Sequence, residues 1–134
     1  MKLLLDTHIL LWILFQESYL PKRSIEYLTD PQNRLYYSTA SIWEIETKYL
    51  THREQMPFTA AQVLEYCEKA KLRNLPMMDR HVLNLKNLQR KAGSPPHKDP
   101  FDRMLVCQAM TENMRFLTHD RLLGDYEEAP IIIV

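Results

Sequence analysis

The chain opens on a solid apolar run, Lys2 to Leu5, that stops at a carboxylate, Asp6. Short apolar runs without polar alternation predict strands covered on both faces. Leu35-Tyr36-Tyr37, Arg115 to Thr118 and Ile131 to Val134 read the same way, and Leu75 to Met77 is a shorter candidate. Between them the apolar spacing changes to the three- and four-residue rhythm of helices. Ile9 to Phe15 carries a helical apolar face. Pro21 suits the first turn of a second helix reaching Thr29, and Asp30 to Asn33 is a turn. Ile42 to Leu50 has Ile42, Ile45 and Tyr49 on one side. After a polar linker, Thr51 to Pro57, Thr59 caps a helix from Ala60 to Lys71. A helix over His81 to Lys91 carries Val82, Leu85 and Leu88. Ala92 to Lys98, with Gly93-Ser94-Pro95-Pro96, is loop. Pro100 then opens a helix to Asn113, and Asp120 to Tyr126 is a turn or short helix.

The order is β-α-α-β-α-α-(β)-α-α-β-α-β. Strands alternating with helices predict the α/β class with a mostly parallel sheet. A length of 134 residues fits one domain, residues 1–134, with one sizeable core. Two glycines are too few for the turns of an all-β design. A 46% hydrophobic content at zero net charge argues against disorder. Cys67 continues the stripe Val63, Leu64, Ala70 and reads as core. With Cys107 it makes neither a C-x-x-C pair nor a disulfide framework, so a cytoplasmic location is expected. The first fifteen residues begin like a signal peptide, but Asp6, Thr7 and His8 interrupt the apolar run, and no small-residue cleavage site follows. The run is also too short to span a bilayer, and no membrane association is expected.

Charge is uneven along the chain. From Arg80 to Arg103 the basic residues are Arg80, Lys86, Arg90, Lys91, Lys98 and Arg103, against Asp99 and Asp102. Such a flank suits a phosphate-bearing substrate, or is simply a solvated helix face.

Four acids stand where an open parallel sheet presents ligands, beyond the carboxyl ends of its strands. Asp6 follows the first strand, Glu44 lies in the helix after the second, Asp102 sits at a helix start, and Asp120 follows Thr118 after one residue. Each also has a structural reading. Asp6 and Asp120 can cap the elements that follow them. Ser41-Ile42-Trp43-Glu44 spells a capping box, unless Ser38 or Thr39 is the cap and Glu44 sits more than one turn into the helix. Asp99-Pro100-Phe101-Asp102 spells a helix start, with an N-cap, a proline at the first position and an acid at the third. Taken together, four converging carboxylates repel one another unless a cation lies among them. Hard divalent cations such as Mg2+ prefer such oxygen ligands, and serve phosphoryl chemistry.

The segments that carry these acids resemble those of PIN domains. Leu4-Leu5-Asp6-Thr7-His8 resembles their opening, Ser41-Ile42-Trp43-Glu44-Ile45 their second acidic segment, and Phe116-Leu117-Thr118-His119-Asp120 their fourth. The most specific match runs from His97 to Leu105, and resembles the DPFDR branch among VapC-like toxins of toxin–antitoxin pairs. The resemblance implies a three-layer α/β/α sandwich that cleaves RNA as a Mg2+- or Mn2+-dependent endoribonuclease. It also implies a homodimer and a cognate antitoxin. It assigns Asp6, Glu44, Asp102 and Asp120 to the metal site, with Asp99 secondary, as a cap or a partner of the ligands. Thr7 and Thr118 are then candidates to support the acids by hydrogen bonds, and Lys48, Lys98 and Arg103 to hold phosphates. The chain departs from the family pattern at Thr51-His52-Arg53, where relatives carry a glycine turn after Lys48, and between Tyr126 and Pro130, which lacks the usual glycine.

Two other readings follow from the same residues. His8, His97 and His119 lie near acids, and His119-Asp120 spells the pair used by His/Asp metal phosphohydrolases, although those are helical. A PIN fold kept as a non-catalytic binding module is the other, and it predicts the loss of one or more of the four acids.

Overall fold

The computed structural model describes residues 1–134. Five strands form one sheet: β1 (Lys2–Leu5), β2 (Arg34–Ser38), β3 (Arg73–Leu75), β4 (Arg115–Thr118) and β5 (Ile131–Ile133). Their order is β3-β2-β1-β4-β5, and every neighbouring pair is parallel. Six α-helices connect them: α1 (Thr7–Phe15), α2 (Lys22–Thr29), α3 (Thr39–Thr51), α4 (Ala60–Lys69), α5 (Asp79–Leu83) and α6 (Pro100–Thr111).

The pleat sorts the apolar runs into two faces. Tyr36, Leu4, Phe116 and Ile131 lie in register across the sheet and pack with Met104, Leu105 and Ala109 of α6. Leu5, Leu117 and Ile132 face the other way, against Ile9 and Leu10 of α1, Ile45 of α3, and Val63 and Cys67 of α4. The result is a three-layer α/β/α sandwich. Leu3, Leu4, Leu5, Phe116 and Leu117 are fully buried, each contributing roughly 1.5–3 kcal/mol by removal from water. No helix is long and apolar enough to cross a membrane.

Several element bounds differ from the sequence reading, each for a local reason. Helix α3 starts three residues earlier than its apolar rhythm, because the Ser38 hydroxyl caps it by accepting from Ala40 N at 2.9 Å. Helix α6 stops at Thr111, and Asn113 takes a left-handed conformation (φ 54°) that ends the helical path. Strand β3 is Arg73–Leu75 rather than Leu75 to Met77. The largest change is the expected helix over His81 to Lys91. Only Asp79–Leu83 is α-helical, followed by a 3-10 turn over Asn84–Asn87. Beyond it the chain is drawn into pairing with the segment after β4: Glu127 N donates to Gln89 O and Lys91 N to Asp125 O, both at 2.8 Å. Leu85 and Leu88 still reach the core, but His81 is buried where Val82 was expected.

Candidate metal centre

Because every strand runs the same way, the ends of β1, β2 and β4 open on one edge of the sheet, and the start of α6 meets them there. Asp6 directly follows β1, at the N-cap position of α1, yet its carboxylate makes no cap hydrogen bond. Its Oδ2 accepts the Thr118 hydroxyl at 2.5 Å, while its Oδ1 is buried with no partner. Thr118 Oγ1 in turn accepts from Asp120 N at 3.0 Å, so one hydroxyl ties the exits of β1 and β4 together.

Glu44 is not part of a capping box. Ser38 is the cap, which leaves Glu44 in the second turn of α3, 3% exposed. Its Oε1 accepts from the Thr7 hydroxyl at 2.7 Å and its Oε2 from Lys48 Nζ at 2.5 Å. Asp99 does cap α6, accepting from Asp102 N at 3.0 Å, with Pro100 at the first position. Asp102 therefore stands at the third, where the positive end of the helix dipole favours a carboxylate. Asp120 caps the following 3-10 turn through Leu122 N at 2.9 Å. The cap reading is thus right for Asp99 and Asp120, and wrong for the side chains of Asp6 and Glu44.

The electrostatics converge on Asp102. Burial, then the charges of Asp6, Asp99, Glu44 and Asp120, push its carboxyl up to about 8. Burial also raises Asp6, with Glu44 adding to the rise and the Thr118 hydroxyl and His8 opposing it. Burial disfavours the Lys48 ammonium, but the hydrogen bond and charge of Glu44, with Asp99 and Asp102, hold its pKa above the ordinary value. With one ammonium set against five carboxyl groups, ionising all of them would leave a strong excess of negative charge. Together with the unpartnered Asp6 Oδ1, this fits a divalent cation held by oxygen ligands.

One residue near the acids, His97, stands in the matched family segment but carries a chemical role in the sequence reading only within the rival His/Asp chemistry. His97 Nε2 lies 3.4 Å from Asp102 Oδ2, and the donor atoms of His97, Asp102 and Asp120 all fall within 4.8 Å of one another. Its Nδ1 is 2.7 Å from the Tyr126 hydroxyl. Burial and then Arg90 lower its pKa, opposed by Asp120 and Asp99. Its position directly before the Lys98-Asp99-Pro100 helix start was the available signal. His8 and His119 instead flank Trp12, with ring centroids 5.9 Å from it, at an open cleft of about 280 Å3 that Asp6 and Asp120 also line.

Part of the basic flank is engaged within the chain. Arg80 forms two hydrogen bonds to Glu112, and Arg90 is held by the Pro95 and Leu122 carbonyls over the Tyr126 ring. Arg103 reaches the Tyr126 hydroxyl at 3.4 Å, while Lys86, Lys91 and Lys98 are exposed.

A family model described as PIN domain matches residues 3–128. No curated protein matches the chain by sequence. Among solved structures, the chain is similar to a VapBC2 structure from Rickettsia felis, bound to a DNA fragment from their promoter. There the TM-score is 0.67 at 13% identity, over 99% of this chain and 98% of that one. A DNA-bound VapBC structure from Salmonella typhimurium gives 0.66 at 14% identity, over 99% and 98%. VapBC-5 from Mycobacterium tuberculosis, a member of a toxin–antitoxin family, gives 0.55 at 18% identity, over 99% and 97%. At these identities the likeness is one of fold.

Proposed function

The chain belongs to the PIN-domain family, and on that premise we propose that it is a Mg2+- or Mn2+-dependent endoribonuclease, the toxin of a toxin–antitoxin pair. The observation that carries the reading is the convergence of Asp6, Glu44, Asp102 and Asp120, with Asp99 beside them, around a buried carboxylate oxygen that has no protein partner. The parallel sheet is unlike the helical frame of His/Asp phosphohydrolases, and the presence of all four acids favours catalysis over a purely binding role.

Asp6, Glu44, Asp102 and Asp120 hold the cation in this proposal. A divalent cation held there would supply Lewis acidity towards a phosphoryl oxygen and a more acidic water, the chemistry that phosphodiester hydrolysis needs. The protein's own groups set the stage. Thr118 fixes the Asp6 carboxylate through Oδ2 and leaves Oδ1 buried without a protein partner. Thr7 and Lys48 fix Glu44 through both of its oxygens. Asp99 keeps the start of α6 formed, and with it the position of Asp102. Lys98 and Arg103, on either side of that helix start, are the proposed contacts to substrate phosphates. A protein antitoxin and a second copy of the chain are the proposed partners. The VapBC composition of the solved neighbours supports the antitoxin, and the family resemblance supports the homodimer.

The test is cleavage of a structured RNA by purified protein with Mn2+ or Mg2+, repeated in excess chelator and with Asp6→Asn. Cleavage should require the metal and Asp6, and should leave 5′-phosphate and 3′-hydroxyl ends. A 2′,3′-cyclic phosphate product, or full activity in chelator, refutes the reading.

A further inference from the structure

We propose that His97 contributes its Nε2 as a nitrogen ligand to the cation at the Asp102–Asp120 corner, making this a mixed nitrogen–oxygen site that prefers a first-row transition-metal ion to Mg2+. The inference rests on the metal-dependent reading above, and adds to it a ligand and an ion class.

Three observations meet at this corner. The first is distance. His97 Nε2 and Asp102 Oδ2 are 3.4 Å apart. That is about the donor–donor edge of a tetrahedral site whose ligands sit roughly 2.1 Å from the ion. The donor of Asp120 lies within 4.8 Å of both, so it must draw in by a fraction of that separation, a movement that cancelling the carboxylates' repulsion favours.

The second observation is the orientation of the ring. The imidazole is 9% exposed and its Nδ1 is held 2.7 Å from the Tyr126 hydroxyl. The hydroxyl is itself 3.5 Å from the His97 carbonyl and can donate there. In that arrangement Nδ1 carries the ring proton, and Nε2 turns a lone pair towards Asp102. A second hydrogen bond from the opposite ring nitrogen is the usual support of a metal-binding histidine. An imidazole lone pair facing a carboxylate oxygen at this distance needs a proton or a cation between them, and a divalent cation offsets the charge of the neighbouring carboxylates as well.

The third is independent of His97. Asp6 is 3% exposed, its Oδ1 has no partner, and its charge acts on Asp102 more strongly than that of any other carboxylate. The same cluster therefore holds an unused buried oxygen. Carboxylates alone suit Mg2+ and Mn2+, whereas an added imidazole shifts preference towards transition-metal ions.

Pulsed EPR of the full chain, freed of metal and loaded with Mn2+ alone, tests this without RNA. The expected spectrum shows coupling to a directly bound 14N, which changes to that of 15N when histidine is isotopically labelled. His97→Gln should abolish the coupling, and in titration calorimetry should weaken Mn2+ binding by about tenfold or more, with a much smaller change for Mg2+. Should that variant fail to fold, the wild-type spectrum still decides whether nitrogen is bound. Coupling that survives His8→Gln and His119→Gln, tested separately, then leaves His97 as the one histidine beside the acids that can supply it. Mn2+ bound without nitrogen coupling, coupling that survives His97→Gln, or coupling lost in either of the other variants overturns the inference and leaves the metal-dependent reading standing. Failure of wild-type protein to bind Mn2+ or Mg2+ at all overturns both.

Discussion

Replacing Asp102 by asparagine keeps the shape of the side chain and removes the charge on which repulsion in the cluster converges. The Asp102 carboxyl rises from an ordinary value of 3.8 to about 8 in the metal-free fold. At about 1.4 kcal/mol per unit, ionising it there costs about 6 kcal/mol as an upper bound. The group keeps 19% of its side chain exposed and titrates together with its neighbours, so about 2–3 kcal/mol is the working expectation. Because the pKa is raised, the folded protein holds a proton that the unfolded chain has already released above pH 3.8. The stabilisation is therefore greatest near the lower end of this window and is lost as pH climbs towards 8. The amide of the Asp102→Asn variant has no proton to lose. In chelator, the variant should match wild type near the acid end of the window and exceed it by about 2–3 kcal/mol near the upper end. The weaker favourable contact with the α6 dipole subtracts only about 0.3–1 kcal/mol. Excess Mn2+ should stabilise wild type at the upper end by mass action and the variant much less. Urea denaturation followed by circular dichroism, across the window with and without metal, measures all of this. Parallel pH dependences for the two proteins in chelator, or a less stable variant near pH 8, would refute the electrostatic account of the cluster.

Asp99→Asn should fold and cleave nearly normally because asparagine caps as well as aspartate, whereas Asp99→Ala should lose about 0.5–2 kcal/mol of stability in denaturant titrations. Loss of cleavage in Asp99→Asn as deep as in Asp102→Asn, with an intact fold, would make Asp99 a ligand rather than a cap. Thr118→Val removes the donor to Asp6 Oδ2 and the acceptor of Asp120 N–H. It should cost about 1–3 kcal/mol for the buried groups left unpaired and weaken metal binding in calorimetry, and unchanged metal affinity would show that Thr118 does not position Asp6.

The apolar runs of Lys2 to Leu5, Leu35 to Tyr37 and Arg115 to Thr118 were readable as strands because both faces are buried, so their composition needs no partner to interpret. The start of α6 was readable for a similar reason: Asp99-Pro100 carries its signal within one turn. The segment from His81 to Lys91 was not, since its helical rhythm is local while pairing of Gln89 and Lys91 with Glu127 and Asp125 is not. The charge pattern is open to the same limit. Arg80 and Arg90 look like phosphate ligands in sequence, and only the fold brings Glu112 and the Leu122 and Pro95 carbonyls to them.

Sequence alone determined the α/β alternation, the parallel sheet and the placing of the acids at strand exits and a helix start, because these follow from local spacing and from the single direction a parallel sheet imposes. Whether each acid serves as a cap or as a buried charge was decided by the tertiary structure. Asp6 and Asp99 can both precede a helix as its cap, but only the arrival of Thr118, 112 residues away in the chain, turns the Asp6 carboxylate off the helix and onto the cluster. In the same way, His97 comes to face Asp102 with its other nitrogen held by Tyr126, 29 residues on. Burial and through-space charge depend on atoms distant in sequence, and so the chemistry of these side chains exists only once the sheet has brought its edges together.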